Sequence, residues 1–518
     1  MKKLYRGFAT VGSITILSRV LGFIRDVLVA AVLGTSYVAD AFFVAFRVPN
    51  MFRRLFAEGA FDAAFIPLFA KRLHGDGPNA AQVFAGQALA GLSLILVLFT
   101  VLAEIAMPWL MLVLAPGFAH DPAKFDLAVM LARIALPYLV FMSLVALYTG
   151  ALNALGRFAI AALAPTLLNI VLIIVLLAVV ALGGAQTTTG IALAWGITAS
   201  GVLQVIVVAL AAAKIGMRVP LERPRLTPEM QSLVALAAPG VIAGGMAQFT
   251  MVISTIIATL QDRVVSWLYY AERIFQLPLG VIGVAIGVVL LPDLSHKLRS
   301  GDHAAVLESE NRALEFALLL TMPAAIALAI ASGPIMRVLF ERGGFTAADT
   351  QATAAMLSAL ALGLPAYVMI KVLHPSFFAR EDTKTPMLYA GIAMVSTAVL
   401  SFVLFMAIGA TGIAIATMLS GWINLGLLVA TLKRRDSFKL DQTFRRRFAG
   451  ICAASAVMAG VVFALVKLLA PWFAPASGLV AQAAALITLV GVGLVVYLAA
   501  AQLFRATKIH NIIKEIGA

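Results

Sequence analysis

The chain has 518 residues, of which 62% are hydrophobic and only 12% are charged, and its mean hydropathy is +1.02. Soluble domains carry about 25% charged residues, so this composition excludes an ordinary soluble enzyme, a disordered chain and a nucleic-acid-binding protein. The net charge is +14, and its distribution along the chain is what matters. The single cysteine, Cys452, excludes an internal disulfide, a cysteine-rich zinc site and a CxxC redox motif. We interpret the sequence as a polytopic membrane protein.

Apolar segments separated by glycine, proline or charged breaks predict an all-α fold with about fourteen transmembrane helices. The basic N-terminus is similar to the start of a signal peptide. Arg19 and Arg25 interrupt the apolar run that follows, and no cleavage site ends it, so we predict an uncleaved first helix. In chain order the predicted helices cover residues 8–33, 37–70, 80–107, 125–152, 159–182, 188–213, 229–260, 263–296, 312–333, 348–378, 386–408, 411–432, 448–469 and 477–504.

The basic residues between these helices predict the orientation of the chain. With the N-terminus in the cytoplasm, every inside segment contains Lys or Arg, whereas the outside segments contain only Lys124, Arg263, Arg337 and Arg342. Cytoplasmic loops of membrane proteins carry an excess of Lys and Arg. The asymmetry predicts an even number of helices, with both termini in the cytoplasm.

Short motifs recur at a nearly constant spacing. Ile66-Pro67-Leu68 is matched by Leu291-Pro292-Asp293, Gly117-Phe118 by Gly344-Phe345, and Leu136-Pro137-Tyr138 by Leu364-Pro365-Ala366-Tyr367, at offsets of 225, 227 and 228 residues. Six predicted helices fit in one period, which indicates a parallel repeat of the kind found in transporters. We predict an N-terminal lobe over residues 1–222, a C-terminal lobe over 223–437, and two additional helices over 438–518.

Ten basic residues fall at predicted membrane depth: Arg19, Arg25, Arg47, Arg53, Arg54, Arg133, Arg273, Arg312, Lys371 and Lys467. A charge at the bilayer centre costs at least about 2.5–3.5 kcal/mol. Arg133, Arg312, Lys371 and Lys467 lie near helix ends, where a long side chain reaches the interface. We expect Arg19, Arg25, Arg53, Arg54 and Arg273 to face a hydrated cavity instead, and for Arg47 both interpretations stay open.

Acidic residues also fall at depth: Asp26, Asp40, Glu58, Asp62, Glu104 and Glu272. Arg54 and Glu58 have a favourable helical ion-pair spacing, so some arginines are expected to be paired. The arginines still outnumber these partners. A surplus of arginine favours an anion, and the planar guanidinium suits phosphate recognition.

Several motifs resemble those of the MurJ (MviN) family, the bacterial lipid II flippases of the MOP superfamily. They are Ser18-Arg19-Val20-Leu21-Gly22-Phe23-Ile24-Arg25-Asp26, Asp40-Ala41-Phe42-Phe43, the stretch from Pro49 to Phe61, Ala164-Pro165-Thr166-Leu167-Leu168-Asn169 and Tyr269-Tyr270-Ala271-Glu272-Arg273. The resemblance covers essentially the whole chain. It implies two six-helix lobes with two extra C-terminal helices, a location in the bacterial inner membrane, and a role in peptidoglycan synthesis.

The resemblance also implies a function and a site. The protein is expected to flip lipid II by alternating access, with the diphosphate held in a central arginine-rich cavity and the polyprenyl tail in a groove beside the last two helices. The implied partners are lipid II and membrane lipids, with an association with the cell-wall synthesis machinery, and no catalytic residue, cofactor or metal is expected. The substrate-binding set is Arg19, Arg25, Asp26, Asp40, Asn50, Arg53, Arg54, Glu58, Glu272 and Arg273.

The sequence departs from some relatives that bind sodium through acidic residues in helices seven and eleven. Residues 229–260 contain only Glu229, and residues 386–408 contain no acid. A sodium site of that type is therefore not expected.

Other functions stay open at this point. Another MOP-superfamily exporter would move drugs or other polyprenyl-diphosphate-linked glycans, although a cation-drug exporter needs an acidic cavity. A membrane enzyme of lipid-phosphate chemistry needs clustered acids for a metal, and a scaffold needs no charges at depth. The motif from Pro49 to Phe61 favours the flippase.

Overall fold

A computed structural model describes residues 2–56, 60–220, 222–225, 227–300, 302–435 and 438–506. Side chains are described in these ranges except at 2–10, 54–56, 60, 239–251, 281–289 and 303. Within these ranges the chain forms α-helices joined by short connections, and no β-strand occurs. The all-α prediction is confirmed.

Within the described residues, the first half of the repeat forms nine α-helices. They are α1 (Lys2–Leu33), α2 (Tyr37–Phe56), α3 (Ala60–Gly75), α4 (Pro78–Ile105), α5 (Met107–Leu114), α6 (Pro122–Ala135), α7 (Tyr138–Ala154), α8 (Phe158–Ala181) and α9 (Gln186–Lys214).

The second half reproduces this order. Its helices are α10 (Pro228–Ala258), α11 (Val264–Arg299), α12 (His303–Ile330), α13 (Ser332–Phe340), α14 (Ala347–Ala361), α15 (Leu364–Phe378), α16 (Lys384–Ile408) and α17 (Thr411–Arg434). Helix α4 and helix α12 each contain 28 residues and begin 225 positions apart. The predicted repeat thus extends to individual helices, and only α18 (Gln442–Leu468) and α19 (Gly478–Leu503) lie beyond it.

Two predicted helices are divided in the structure. The segment predicted as 125–152 is broken between α6 and α7, where Pro137 has no backbone N–H to continue the ladder. The equivalent segment predicted as 348–378 is broken between α14 and α15, at Leu362 and Gly363. The short helices α5 and α13 were not predicted separately.

Ten helical segments are long and apolar enough to cross a membrane, counted over the residues that the structure describes. They are Pro78–Ile105, Pro122–Ala154, Phe158–Ala181, Gln186–Lys214, Ala304–Ile330, Ala347–Phe378, Lys384–Ile408, Thr411–Arg434, Gln442–Leu468 and Pro475–Leu503. The ten do not include α1, α2, α3, α10 or α11. The multi-pass architecture is confirmed, and the total of fourteen stays a prediction.

The chain divides into two compact units. The first contains Met1–Ser266 and the short segment Arg342–Phe345, and the second contains Trp267–Glu341 and Thr346–Ala518. In the first unit α1 packs along α8, and α2 packs against α6. In the second, α12 packs against both α15 and α18. These contacts position the charged residues of α1, α2 and α12.

Candidate functional site

Arg25 on α1 is the best-defined of the predicted cavity arginines, and it is only 7% exposed. Its Nε and Nη2 atoms donate to Oδ1 of Asp26 at 3.0 and 2.7 Å, and its Nη1 atom donates to Oδ1 of Asn169 at 2.9 Å. Asn169, on α8, in turn donates to the backbone oxygen of Ser18 at 3.0 Å. The guanidinium is therefore held in one orientation between a carboxylate and an amide.

Helix α2 brings further polar groups to the same part of the first unit. The Arg25 guanidinium lies 5.9 Å from the ring centroid of Phe46, and the backbone oxygen of Phe46 accepts from Nδ2 of Asn50 at 2.9 Å. The Nε atom of Arg53 lies 3.4 Å from Oδ1 of Asn50. Along α2, Phe46 thus contacts Arg25 and Asn50, and Asn50 in turn contacts Arg53.

The other predicted cations of this unit differ in their surroundings. Arg19 is exposed on α1. Arg47 was expected either to reach the membrane interface or to face the cavity. It is part-buried and donates to the hydroxyl of Thr255 on α10. The side chain of Arg54 and the whole of Glu58 lie outside the described residues, so their predicted ion pair is not tested.

Asp40 on α2 is completely buried and belongs to a separate polar cluster. Its Oδ2 atom accepts from Nζ of Lys124 at 2.8 Å and from the backbone N–H of Arg263 at 2.9 Å. Its Oδ1 atom accepts from the backbone N–H and the hydroxyl of Ser266, at 3.1 and 2.6 Å. Nζ of Lys124 also donates to Asp262 at 2.8 Å. Asp40 therefore holds the first turn of α11 and neutralises Lys124.

Lys124 was predicted to precede the helix that begins at residue 125, but it lies within α6. Asp121 accepts from the backbone N–H groups of residues 123 and 124 and begins α6 at Pro122, which places Lys124 in the first helical turn. The side chain is 1% exposed, and its ammonium lies 4.4 Å from the ring centroid of Phe118. The helix start could have been read from Asp121-Pro122, but the burial depends on contacts with distant segments.

Glu272 and Arg273 lie on α11 in the second unit, and both are part-buried. Phe275, three residues further along α11, lies beside Tyr367 on α15. The Tyr367 hydroxyl donates to the backbone oxygen of Thr417 at 3.0 Å, and its ring lies 5.9 Å from that of Phe275. Helices α11, α15 and α17 thus surround the polar end of Tyr367.

The residues expected to reach the interface have specific partners. Arg133 donates to the backbone oxygen of Glu104 at 3.0 Å, and Lys467 lies 4.5 Å from the ring centroid of Phe463. Arg312 on α12 pairs with Glu315 at 2.6 Å and with Asp441 at 3.2 Å. Arg447 on α18 pairs with the second oxygen of Glu315 at 2.6 Å. The role of Arg312 in joining α12 to α18 was not predicted.

A family model described as the lipid II flippase MurJ matches residues 29–482. The chain is 45% identical to a probable lipid II flippase MurJ from Rhizobium meliloti, over 96% of this chain and 93% of that protein. It is 34% identical to the lipid II flippase MurJ of Burkholderia cenocepacia, over 89% of each chain. These similarities extend over nearly the full length.

The fold of this chain also resembles solved structures over most of its length. A lipid II flippase MurJ in an inward closed conformation matches with a TM-score of 0.78 and 27% identity, covering 95% of this chain and 98% of that one. A multidrug resistance MATE family transporter of the MOP superfamily matches with a TM-score of 0.69 and 14% identity, covering 83% of this chain and 98% of that one. The second likeness concerns the fold alone.

Proposed function

Because the chain belongs to the MurJ family of lipid II flippases, we propose that it flips the lipid-linked peptidoglycan precursor lipid II. Transport runs from the cytoplasmic to the periplasmic leaflet of the bacterial inner membrane, by alternating access. The observation that carries this proposal is the full-length family match together with the buried, oriented guanidinium of Arg25. The chain performs no covalent chemistry in this role and acts as a transporter.

The charge distribution of the first unit supports binding of the diphosphate by arginine. Asp40 is saturated by Lys124 and by the first turn of α11. Arg25 is oriented by the carboxylate of Asp26 and the amide of Asn169, and Arg53 contacts the amide of Asn50. Oriented guanidinium groups suit an anion with several oxygens.

Asn169 and Asn50 have positioning roles in this proposal. An arginine side chain loses rotamer freedom when it binds a ligand, and a guanidinium that is already oriented loses less. Asn169 fixes one edge of Arg25, and Asn50 is recorded against Nε of Arg53. The substrate-binding set further includes Arg19, Asp26, Arg54, Glu58, Glu272 and Arg273, with Asp40 holding α11 in place.

The finer features are part of the same proposal. Residues 1–222 and 223–437 form two lobes that alternate access, and residues 438–518 provide the groove for the polyprenyl tail. Both termini lie in the cytoplasm, as the asymmetry of basic residues indicates. The cell-wall synthesis machinery is the expected partner besides lipid II. A cation-drug exporter is disfavoured, because Asp40 is engaged with Lys124 and is not available to a cationic substrate.

The proposal is tested by expressing the chain in a bacterium whose own lipid II flippase is depleted. We expect growth with the wild-type chain, no growth with Arg25→Ala, and growth with Lys467→Gln, which removes an exposed charge on α18. Membrane insertion of each variant is checked by immunoblotting of membrane fractions. Failure of an inserted wild-type chain to sustain growth, or full growth with Arg25→Ala, would contradict the proposal.

A further inference from the structure

Four connections between helices meet in the first unit, and the repeat relates them in pairs. Gly34 follows α1 and Thr259 follows α10, 225 positions later. Gly117 lies between α5 and α6, and Gly344 lies between α13 and α14, 227 positions later. All four residues belong to the first compact unit. By the asymmetry of basic residues, these connections lie at the outer end of the helices.

The contacts among them are exchanged between the two repeats. Gly117 of the first repeat lies against Thr259 of the second, and a Cβ added to Gly117 would lie 2.0 Å from the backbone oxygen of Thr259. The N–H of Gly117 also faces the Thr259 hydroxyl at 3.3 Å. Each partner thus approaches the other at backbone distance, which no other residue type at position 117 permits without movement.

The second contact is the counterpart of the first. Gly344 of the second repeat lies against Gly34 of the first, and a Cβ added to Gly34 would lie 2.0 Å from the backbone oxygen of Gly344. The N–H of Gly344 donates to the backbone oxygen of Ala31 at 2.7 Å. Gly34 has φ +58°, a conformation that glycine adopts without strain.

A polar cluster lies beside the first contact. Thr259 is followed by Asp262 and Arg263, and both contribute to the cluster around Lys124 and Asp40. The same connection of the second repeat is therefore held by a backbone contact to Gly117 and by an ion pair to Lys124.

We propose that Gly34, Gly117, Thr259 and Gly344 form a crossed clasp, a conformational device that closes the outer end of the transport path in this state. The inference rests on the proposed function, because it assigns the clasp to one state of an alternating-access cycle. The first repeat contributes Gly34 and Gly117, and the second contributes Gly344 and Thr259. Opening the outer end separates both contacts, and the polar cluster beside Thr259 opens with them.

The clasp is tested through the accessibility of a buried residue near it. Cys452 is replaced by serine to give a cysteine-free chain, and Thr35, which is buried beside Gly34, is replaced by cysteine. Labelling by a membrane-impermeant maleimide is then measured in right-side-out and inside-out vesicles. We expect little labelling in this parent and an increase of several-fold with Gly117→Ala, only from the outer face.

Two further variants grade the effect, and a third controls for it. Gly344→Ala should raise labelling less than Gly117→Ala, because its Cβ would approach Gly34 only to 3.0 Å. Thr259→Val removes the hydroxyl that faces Gly117, so it serves if Gly117→Ala does not insert. Its expected increase is roughly twofold to tenfold, the effect of one hydrogen bond on an equilibrium. Gly333→Ala should leave labelling unchanged, because a Cβ added to Gly333 would meet no other atom within 4 Å.

Unchanged labelling in inserted Gly117→Ala and Thr259→Val proteins would overturn the clasp. An equal increase with Gly333→Ala, or labelling only in inside-out vesicles, would also overturn it. The labelling requires no transport of lipid II. A chain that fails to replace a depleted flippase but shows the graded labelling therefore contradicts the proposed function and leaves the clasp intact.

Discussion

Arg25 and Lys124 are both buried cations of the first unit, but their partners leave them different roles. Lys124 contacts two carboxylates, Asp40 and Asp262, which neutralise its charge within the protein. Arg25 contacts the carboxylate of Asp26 and the neutral amide of Asn169. Its guanidinium is thereby oriented by side chains of α1 and α8, and a planar group held in this way suits the recognition of phosphate oxygens.

For Arg25 we expect alanine to abolish lipid II binding and transport, and lysine to impair both. Lysine cannot span Asp26 and Asn169 with one planar group. A charge-assisted hydrogen bond contributes about 1.5–3 kcal/mol, so the loss of one weakens binding by roughly tenfold or more. Binding and transport are measured with purified variants at matched expression, and Arg273→Ala is expected to behave as Arg25→Ala does.

A purely structural role for Arg25 makes a different prediction. If Arg25 only pairs with Asp26, the exchange of the two residues, Arg25→Asp with Asp26→Arg, would restore function. We expect the exchanged protein to stay inactive, because the guanidinium would then leave Asn169 and Phe46. Wild-type lipid II binding by Arg25→Ala would contradict the diphosphate site.

For Lys124 we expect a loss of stability. Lys124→Met leaves the completely buried Asp40 carboxylate without its cation, and breaking a buried ion pair in this way costs about 3–5 kcal/mol. Adding Asp40→Asn should recover part of this loss, because the amide is neutral and still accepts from Ser266. The measurement is thermal unfolding in detergent. Asp262→Asn, at a well-exposed side chain, is the control and should change little; recovery absent from the double variant would contradict this account.

At the scale of elements, helix positions follow from the sequence where apolar runs are uninterrupted. The helices predicted at 188–213 and 411–432 are found as α9 and α17 within two residues at each end. The break at Pro137 and the helical start of Lys124 depend on local backbone chemistry that hydropathy does not register. The pair of Arg312 with Glu315 follows from helical spacing. Lys124 as the partner of Asp40 and Asp441 as a second partner of Arg312 come from distant segments, so no periodicity or spacing could have predicted them.

Helix α18 lies beyond the repeat in sequence, but ion pairs and hydrogen bonds join it closely to α12. Glu315 on α12 lies between Arg312 and Arg447, and Asn311 donates to the backbone oxygen of Lys439 at 2.8 Å. The hydroxyl of Tyr497 on α19 donates to the backbone oxygen of Leu319 at 2.6 Å. The last two helices therefore contribute to the folding of the second unit as well as to any groove.

We expect a chain that ends after Phe438 to insert but to lose transport and some stability. Removal of α18 leaves the buried Glu315 with Arg312 alone, and an unsatisfied buried group costs about 1–3 kcal/mol. Glu315→Gln should therefore destabilise the full chain, where two ion pairs are lost, more than the shortened chain, where only the pair with Arg312 is lost. Thermal unfolding of the four proteins tests this, and full transport by the shortened chain would contradict a role of α18 and α19 with the polyprenyl tail.

At the scale of the whole molecule, the ion dependence of transport follows from where acids are missing. Residues 229–260 contain a single acidic residue, Glu229, and residues 386–408 contain none, so these two helices offer almost no carboxylate to a sodium ion. We expect lipid II transport in vesicles to be unchanged when sodium is replaced by potassium at constant ionic strength. A strong dependence on sodium would show that other ligands bind it.

The equal lengths of α4 and α12 conceal a difference in what each helix can hold. Glu308, Arg312 and Glu315 on α12 correspond, at the 225-residue offset, to Val83, Gln87 and Ala90 on α4. The two equivalent helices therefore differ in the charged side chains that they offer to a neighbouring helix. Only the copy with the ionic triplet can receive the basic first turns of α18, since a charged arginine brought to α4 would meet no acid there. The ionic residues of α12 therefore determine that α18 and α19 pack against the second half of the repeat and not against the first.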